Sequence, residues 1–415
     1  MSGSAAAGGT DLARTLARAR LIVCVGTGGV GKTTIAAALG LAAARLGRRS
    51  LVLTIDPARR LANAFGRDEV GSEPVPVELG ASPDAGHPTA PARLEIMMLS
   101  TRRAFDQLVF RLTQDEATRE RILGNRIYHH LAEALAGSSE YAAMAEVQAL
   151  VESARYDLIV VDTPPAEHAL DFLRAPGRLQ AFLDSRFFHG LVRPAMTASR
   201  FSLRLFAGPF HRVLGLLERI AGVGFLEDLT ELLRALDGLA GDLASRARRI
   251  EEVLFGADTR FVLVCRALAG SERTTGEFMA GIGDLGAPFG AVVVNRLQPW
   301  PLAEDPAELL ARCRGEALAR DVERLAASLG PPEDASGTTR AATDVANAPS
   351  DAAESVVDAV LEHARACALE QRRVRVLEEA AATRGVDCIR ITERSEPLDR
   401  LEGLEAIARQ LTTTA

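Results

Sequence analysis

Among 415 residues there is one lysine, and it stands in a glycine-rich loop, Gly26-Thr27-Gly28-Gly29-Val30-Gly31-Lys32-Thr33-Thr34. The other 47 basic residues are all arginine. A generic positive charge is thus always arginine here, so the one position that keeps lysine needs a compact ammonium that a broad guanidinium cannot replace. The loop fits G-x-x-x-x-G-K-[ST] and lies between an apolar run at 21–26 and a helical pattern at 33–46, the strand-loop-helix setting of a phosphate loop. In such a loop the backbone N–H groups of Gly28, Gly29, Val30, Gly31 and the turn through Thr34 converge on phosphate oxygens, and the helix end adds its dipole. Lys32 supplies a point charge to the outer phosphates, and the Thr33 hydroxyl can hold Mg²⁺.

Two aspartates end apolar runs. Thr54-Ile55-Asp56-Pro57-Ala58 closes one, and Asp162-Thr163-Pro164-Pro165 closes another after DLIVV. In a parallel sheet the carboxyl ends of neighbouring strands open onto one crevice, so both carboxylates can face phosphate and metal. Asp162 reads as the Walker B carboxylate that holds Mg²⁺ through water, and Asp56 is placed to orient an attacking water. Helix N-capping is the other role open to either aspartate.

The elements that must position these groups alternate between strand and helix, which predicts an α/β fold of the P-loop NTPase type: a mostly parallel sheet flanked by helices, with a helical insertion subdomain. Strands are expected at 21–26, 51–56, 94–99, 157–162, 261–266, 290–295 and 386–391, all short apolar runs suited to burial on both faces. A tail at 1–20 precedes the P-loop domain at 21–329, which carries helical insertions at 101–154 and 179–256. A flexible loop at 330–351 is expected from its small, polar, proline-bearing residues, and 352–415 completes the domain as helix-strand-helix. Eight of the fifteen phenylalanines fall between Phe172 and Phe225, and Leu226 to Ile250 follows helical spacing, so that insertion is expected to be mainly packed helix.

Composition excludes several classes. With 47% hydrophobic and 25% charged residues the chain is a well-packed globular protein rather than a disordered one. A net charge of −7 gives no long-range attraction to nucleic acid or to an anionic bilayer. Five cysteines without a C-x-x-C pair suit reduced thiols, and no apolar leader or membrane-spanning run is evident, so a cytoplasmic location is expected. His129, His130 and His189 lack a second ligand at metal-like spacing.

Taken together, GTGGVGKTT, the DPA at 56–58, DTPPAEHALDFLRAP at 162–176 and VVVNR at 292–296 resemble the bacterial branch of the arsenite-pump and tail-anchored-protein-targeting ATPase family, within the deviant Walker A class. The resemblance runs from about residue 20 to 410. It implies a cytoplasmic, Mg²⁺-dependent ATPase that binds ATP and works as a face-to-face dimer, opening and closing with hydrolysis on a membrane-protein client or membrane partner. It also assigns Asn295 to adenine and makes His168 a conformational reporter between the second switch and the insertion.

Departures from the family pattern are informative. The family loop is G-K-G-G-V-G-K-T, whose first lysine reaches the partner's nucleotide; here that position is Thr27. The first switch continues Arg59-Arg60-Leu61 instead of H-S-L, and the second reads Ala166-Glu167-His168 instead of T-G-H. Neither the dimer-clamping C-x-x-C nor the arsenite-binding thiol triad has a counterpart, so zinc and arsenite are unsupported. Loss of the lysine leaves two expectations: Arg59 or Arg60 replaces it, or a homologous lysine-bearing subunit supplies it in a heterodimer. Two rival readings remain open. A partitioning or division-site ATPase would need a basic patch or a basic C-terminal helix, whereas LEGLEAIARQLTTTA carries one arginine. A slow nucleotide-sensing scaffold is the other.

Overall fold

The computed structural model describes residues 11–55, 60–67, 69–80, 93–99, 110, 115–124, 138–164, 166–184, 241–313, 341–394 and 401–413. In chain order these form α1 (Asp11–Arg18), β1 (Leu21–Val25), α2 (Lys32–Arg45), β2 (Arg49–Thr54), α3 (Arg60–Ala64), β3 (Val75–Val77), β4 (Arg93–Met98), α4 (Glu116–Gly124) and α5 (Ser138–Glu152). There follow β5 (Leu158–Asp162), α6 (Ala166–Leu183), a helix over 241–255 that we label α7, β6 (Thr259–Cys265), α8 (Ser271–Asp284), β7 (Phe289–Leu297), α9 (Pro306–Arg312), α10 (Ala341–Ala382), β8 (Cys388–Thr392) and α11 (Leu401–Thr412).

One eight-stranded sheet runs β3-β4-β2-β5-β1-β6-β7-β8. Every pairing is parallel except that of β3 with β4. The order reverses about β1, with β2 to one side through β5 and β6 to the other, so the carboxyl end of β1 lies at a switch point where loops diverge and leave a crevice.

Alternate strand residues feed two cores. Leu21, Val23 and Val25 of β1 join Leu51, Leu53, Ile159, Val161, Phe261 and Leu263 on the face covered by α5, α6, α7, α8 and α10. Ile22 and Cys24 join Val52, Val160, Val262 and Val264 on the opposite face, under α1, α2, α3 and α11. Burial on both sides explains why the strand sequences are unbroken apolar runs rather than alternating ones. The alanine-rich α2 is buried from Ile35 to Ala44, and α11 packs against it, with an Arg45–Glu405 ion pair at the seam.

The structure differs from the sequence expectation in three places. Residues 11–18 of the supposed tail form α1, whose Leu12 and Leu16, four apart on one helix face, are fully buried in the second core. Residues 341–351, expected in the flexible loop, belong to α10; their alanines favour helix, and the helix runs on to Ala382. The edge strand β3 was not expected: it is three residues long and contains Pro76, which an edge strand tolerates and an interior one does not. Most of the phenylalanine-rich segment, residues 185–240, lies outside the described residues, as do His129, His130 and His189.

Candidate active site

The loop between β1 and α2 is shaped by what its glycines permit. Gly26 has φ +151°, and a Cβ there would stand 2.1 Å from the Val264 carbonyl oxygen of β6, so only a bare backbone passes. Gly31 has φ +93°, a left-handed conformation costly to any other residue, and its hypothetical Cβ would lie 2.3 Å from Asn295 Nδ2. Gly31 is also the N-cap of α2 and places no side chain over the helix end. The first-turn N–H groups, which have no partner within a helix, are therefore directed into the crevice between strand ends. Gly28 and Gly29 are exposed at the loop's crest, Val30 is buried beneath it, and Thr34 is half-buried on the first turn.

Lys32 begins α2 and is only 8% exposed. Its Nζ donates to the carbonyls of Gly26 and Thr27, at 3.0 Å each, so the ammonium bridges the base of its own loop. Next to it, Thr33 Oγ1 donates to Asp162 Oδ2 at 2.7 Å. Asp162 ends β5, level with Cys24 on β1 and with Thr54 on β2, and is buried between these strands. Thr54 Oγ1 donates to the same Oδ2 at 3.0 Å. The strand end is pinned further by Thr163, whose hydroxyl donates to the Cys24 carbonyl at 2.8 Å. Burial foremost, and then the Asp162 charge, push the Cys24 thiol well above its usual range, so it stays protonated and inert beneath the site.

On the other flank Asn295 is buried near the end of β7, and its Nδ2 donates to the Val30 carbonyl at 2.8 Å. The following residue, Arg296, has φ +58°, and the β7–β8 register shifts between Val294 and Leu297. A bulge of this kind re-aims the side chains beside it.

Sequence reasoning placed Lys32, Thr33 and Asp162 in one site, and the fold brings them together. Asp56 and Arg59 lie outside the described residues; Arg60 starts α3, and the backbone of His168 lies in α6. The Thr54 hydroxyl and the hold of Asn295 on Val30 were missed. A polar residue closing an otherwise apolar buried strand was the signal for Thr54; for the Asn295 contact the sequence contains none.

A glycine loop that leads from a central parallel strand into a helix, at the point where strand order reverses, and that sets lysine and hydroxyl beside the carboxylate of an adjacent strand defines a P-loop nucleotide-hydrolase fold. Within that class the chain belongs to the anion-transporting ATPase family, whose pattern it matches over residues 19–316. It is 26% identical over 300 residues to ATPase GET3 of Malassezia globosa, covering 72% of this chain and 78% of that protein. It is 28% identical over 280 residues to ATPase get3 of Aspergillus terreus, covering 67% and 73%. A further relative is ATPase ASNA1 homolog 1 of Paramecium tetraurelia, 28% identical over 159 residues, which cover 38% of this chain and 44% of that one. The protein is an ATP-binding ATPase of this family. Among the described residues no helix is long and apolar enough to cross a membrane.

Proposed function

We propose that this ATPase depends on Mg²⁺, closes as a dimer around its nucleotide, and uses the cycle to act on a membrane-protein client or a membrane partner from the cytoplasm. The observation that carries the reading is the corner in which Thr33 Oγ1 meets Asp162 Oδ2 at 2.7 Å beside the Lys32 ammonium. The donors suit Mg²⁺, being hard oxygens of a hydroxyl and a carboxylate. An Mg²⁺ ion in such a site is held by few protein ligands and completed by phosphate and water. Mg²⁺ held by Thr33 and Asp162 would offset negative charge on the outer phosphates.

The chain's own groups divide the remaining work. The backbone of Gly28, Gly29, Val30 and Gly31, with Thr34, cradles the phosphates, and Lys32 adds the point charge that draws electron density toward the leaving oxygens. Asp56 orients the attacking water. The Asn295 carbonyl oxygen accepts from the adenine amine while its Nδ2 holds Val30. The insertions 101–154 and 179–256 would act on a client, apart from α5 and α7 within them, which pack on the sheet as part of the core.

The test is hydrolysis and binding measured on the purified chain. Asp56→Asn should keep ATP and Mg²⁺ binding and lose turnover, whereas Asp162→Asn should lose the Mg²⁺ dependence of binding itself. Wild-type turnover by Asp56→Asn would remove that residue from the mechanism.

A second reading is favoured by Thr27, where the family loop has lysine. Turnover would then be slow alone and completed by a homologous lysine-bearing subunit, and Thr27→Lys would speed a homodimer. Fast hydrolysis by the unmodified chain, insensitive to Arg59→Ala and Arg60→Ala, would exclude this reading.

A further inference from the structure

We propose that Thr54 is a positioning residue of the metal and phosphate site, holding the Asp162 carboxylate in place while the Thr33 hydroxyl is engaged elsewhere. Thr54 is the last residue of β2, 1% exposed, and its register partner on β5 is Asp162 itself. Two hydroxyls converge on Oδ2, from Thr33 at 2.7 Å and from Thr54 at 3.0 Å. They are not equivalent. Thr33 sits on the first turn of α2, in the phosphate loop, and its oxygen is the one the Mg²⁺ reading assigns to the cation. Thr54 lies within the sheet, paired with β4 on one side and β5 on the other, and is buried outside the phosphate loop. Its hydroxyl is a donor from the sheet rather than from the loop, so it goes on holding Asp162 when Thr33 is drawn to metal.

The backbone around Thr54 makes the anchor stiff. The Leu99 N–H donates to the Thr54 carbonyl at 2.9 Å from one side, and the Ile55 N–H donates to the Asp162 carbonyl at 3.2 Å on the other. β2 is therefore registered against both neighbours directly before Asp56. The same residue thus ties the metal carboxylate to the fixed base from which the first switch departs. A charged acceptor strengthens such a bond beyond a neutral pair, and outer partners of metal ligands typically change metal affinity by about 10–100-fold.

This inference rests on the Mg²⁺ reading above, and the experiment separates the two. Binding of a non-hydrolysable ATP analogue to the full chain is followed by calorimetry across a Mg²⁺ titration, with Mn²⁺ paramagnetic resonance as a direct view of the ion. Thr54→Val keeps the shape and removes the hydroxyl; it should raise the Mg²⁺ concentration for half-maximal tightening about tenfold, leaving metal-free nucleotide binding near wild type. Thr54→Ser should restore the wild-type midpoint, and Thr54→Ala should not. The Ser and Ala pair differs only in the hydroxyl and so decides the matter even where the valine variant does not fold. A midpoint within twofold of wild type for the alanine variant, or a serine variant as impaired as the alanine one, would overturn the role of Thr54. Wild-type binding indifferent to Mg²⁺ would overturn the underlying reading and this inference with it.

Discussion

Gly31→Ala tests whether the loop's shape is set by its contact with β7. Two costs can be read from the structure. Holding a residue with a Cβ in the left-handed conformation at φ +93° costs about 1–2 kcal/mol. The new methyl would also stand 2.3 Å from Asn295 Nδ2, so that side chain must leave, and the buried Val30 carbonyl loses its 2.8 Å bond for a further ~1–3 kcal/mol. Because both costs fall on the loop as built for phosphate, ATP affinity should drop at least about tenfold, equivalent to ~1.4 kcal/mol. Asn295→Ala removes the obstruction and has already forfeited the bond. Adding Gly31→Ala to it should therefore cost only the backbone strain, leaving a coupling of about 1–3 kcal/mol in the cycle. Nucleotide affinity by calorimetry and stability in urea, measured on all four proteins, give the coupling directly. Additivity within about 0.5 kcal/mol would mean that Asn295 does not shape the loop.

Other consequences follow from neighbouring contacts. Lys32→Arg should bind ATP as weakly as Lys32→Ala in calorimetry, because Nζ fits between two carbonyls at 3.0 Å each in a nearly closed space that a guanidinium overfills. Leu16→Ala should destabilise the protein by about 2–5 kcal/mol in chemical denaturation, since α1 is part of the core and not a tail. Hydrogen bonds from Arg49 hold the Asp157 carboxyl down at about 2, below its unfolded value, so the stability it contributes is present above about pH 4 and lost as pH falls towards 2. The difference in thermal midpoint between wild type and Asp157→Asn should shrink over that interval, and it should be small at neutral pH because the pair lies at the surface.

Much of the fold was legible because its signals are local. Strands buried on both faces read as apolar runs, and the lone lysine marks the loop without reference to any partner. The expected strand edges drift because pairing, not hydropathy, sets them: β2 begins at exposed Arg49, two residues before the apolar run, where it pairs with Arg93 of β4. What stayed hidden was set by register. Thr54 and Asp162 are 108 positions apart, and only the pairing of β2 with β5 puts the hydroxyl on the carboxylate. The contact of Asn295 with Val30 spans 265 positions and depends on a bulge after Val294. Neither spacing leaves a trace in periodicity. In α1, eight residues were too few to outweigh the small and polar residues before them.

The position of Lys32 sharpens the question posed by Thr27. Its ammonium is bonded to the Gly26 and Thr27 carbonyls, so the chain's one lysine serves the loop that carries it and is not extended toward a neighbouring subunit. Thr27 contributes to that arrangement through its backbone, which any residue type would supply, so the geometry does not demand threonine there. A cation at position 27 would leave the Lys32 bonds intact and add charge at the loop's partly exposed shoulder. Such a charge on the transferring phosphoryl group is worth about 10³–10⁵ in rate when correctly placed. With arginine used for all other basic residues, a threonine at this shoulder sets the two lysine roles apart: this chain carries the cradle lysine, and under the proposed function the rate-enhancing cation would have to come from the first switch or from another subunit.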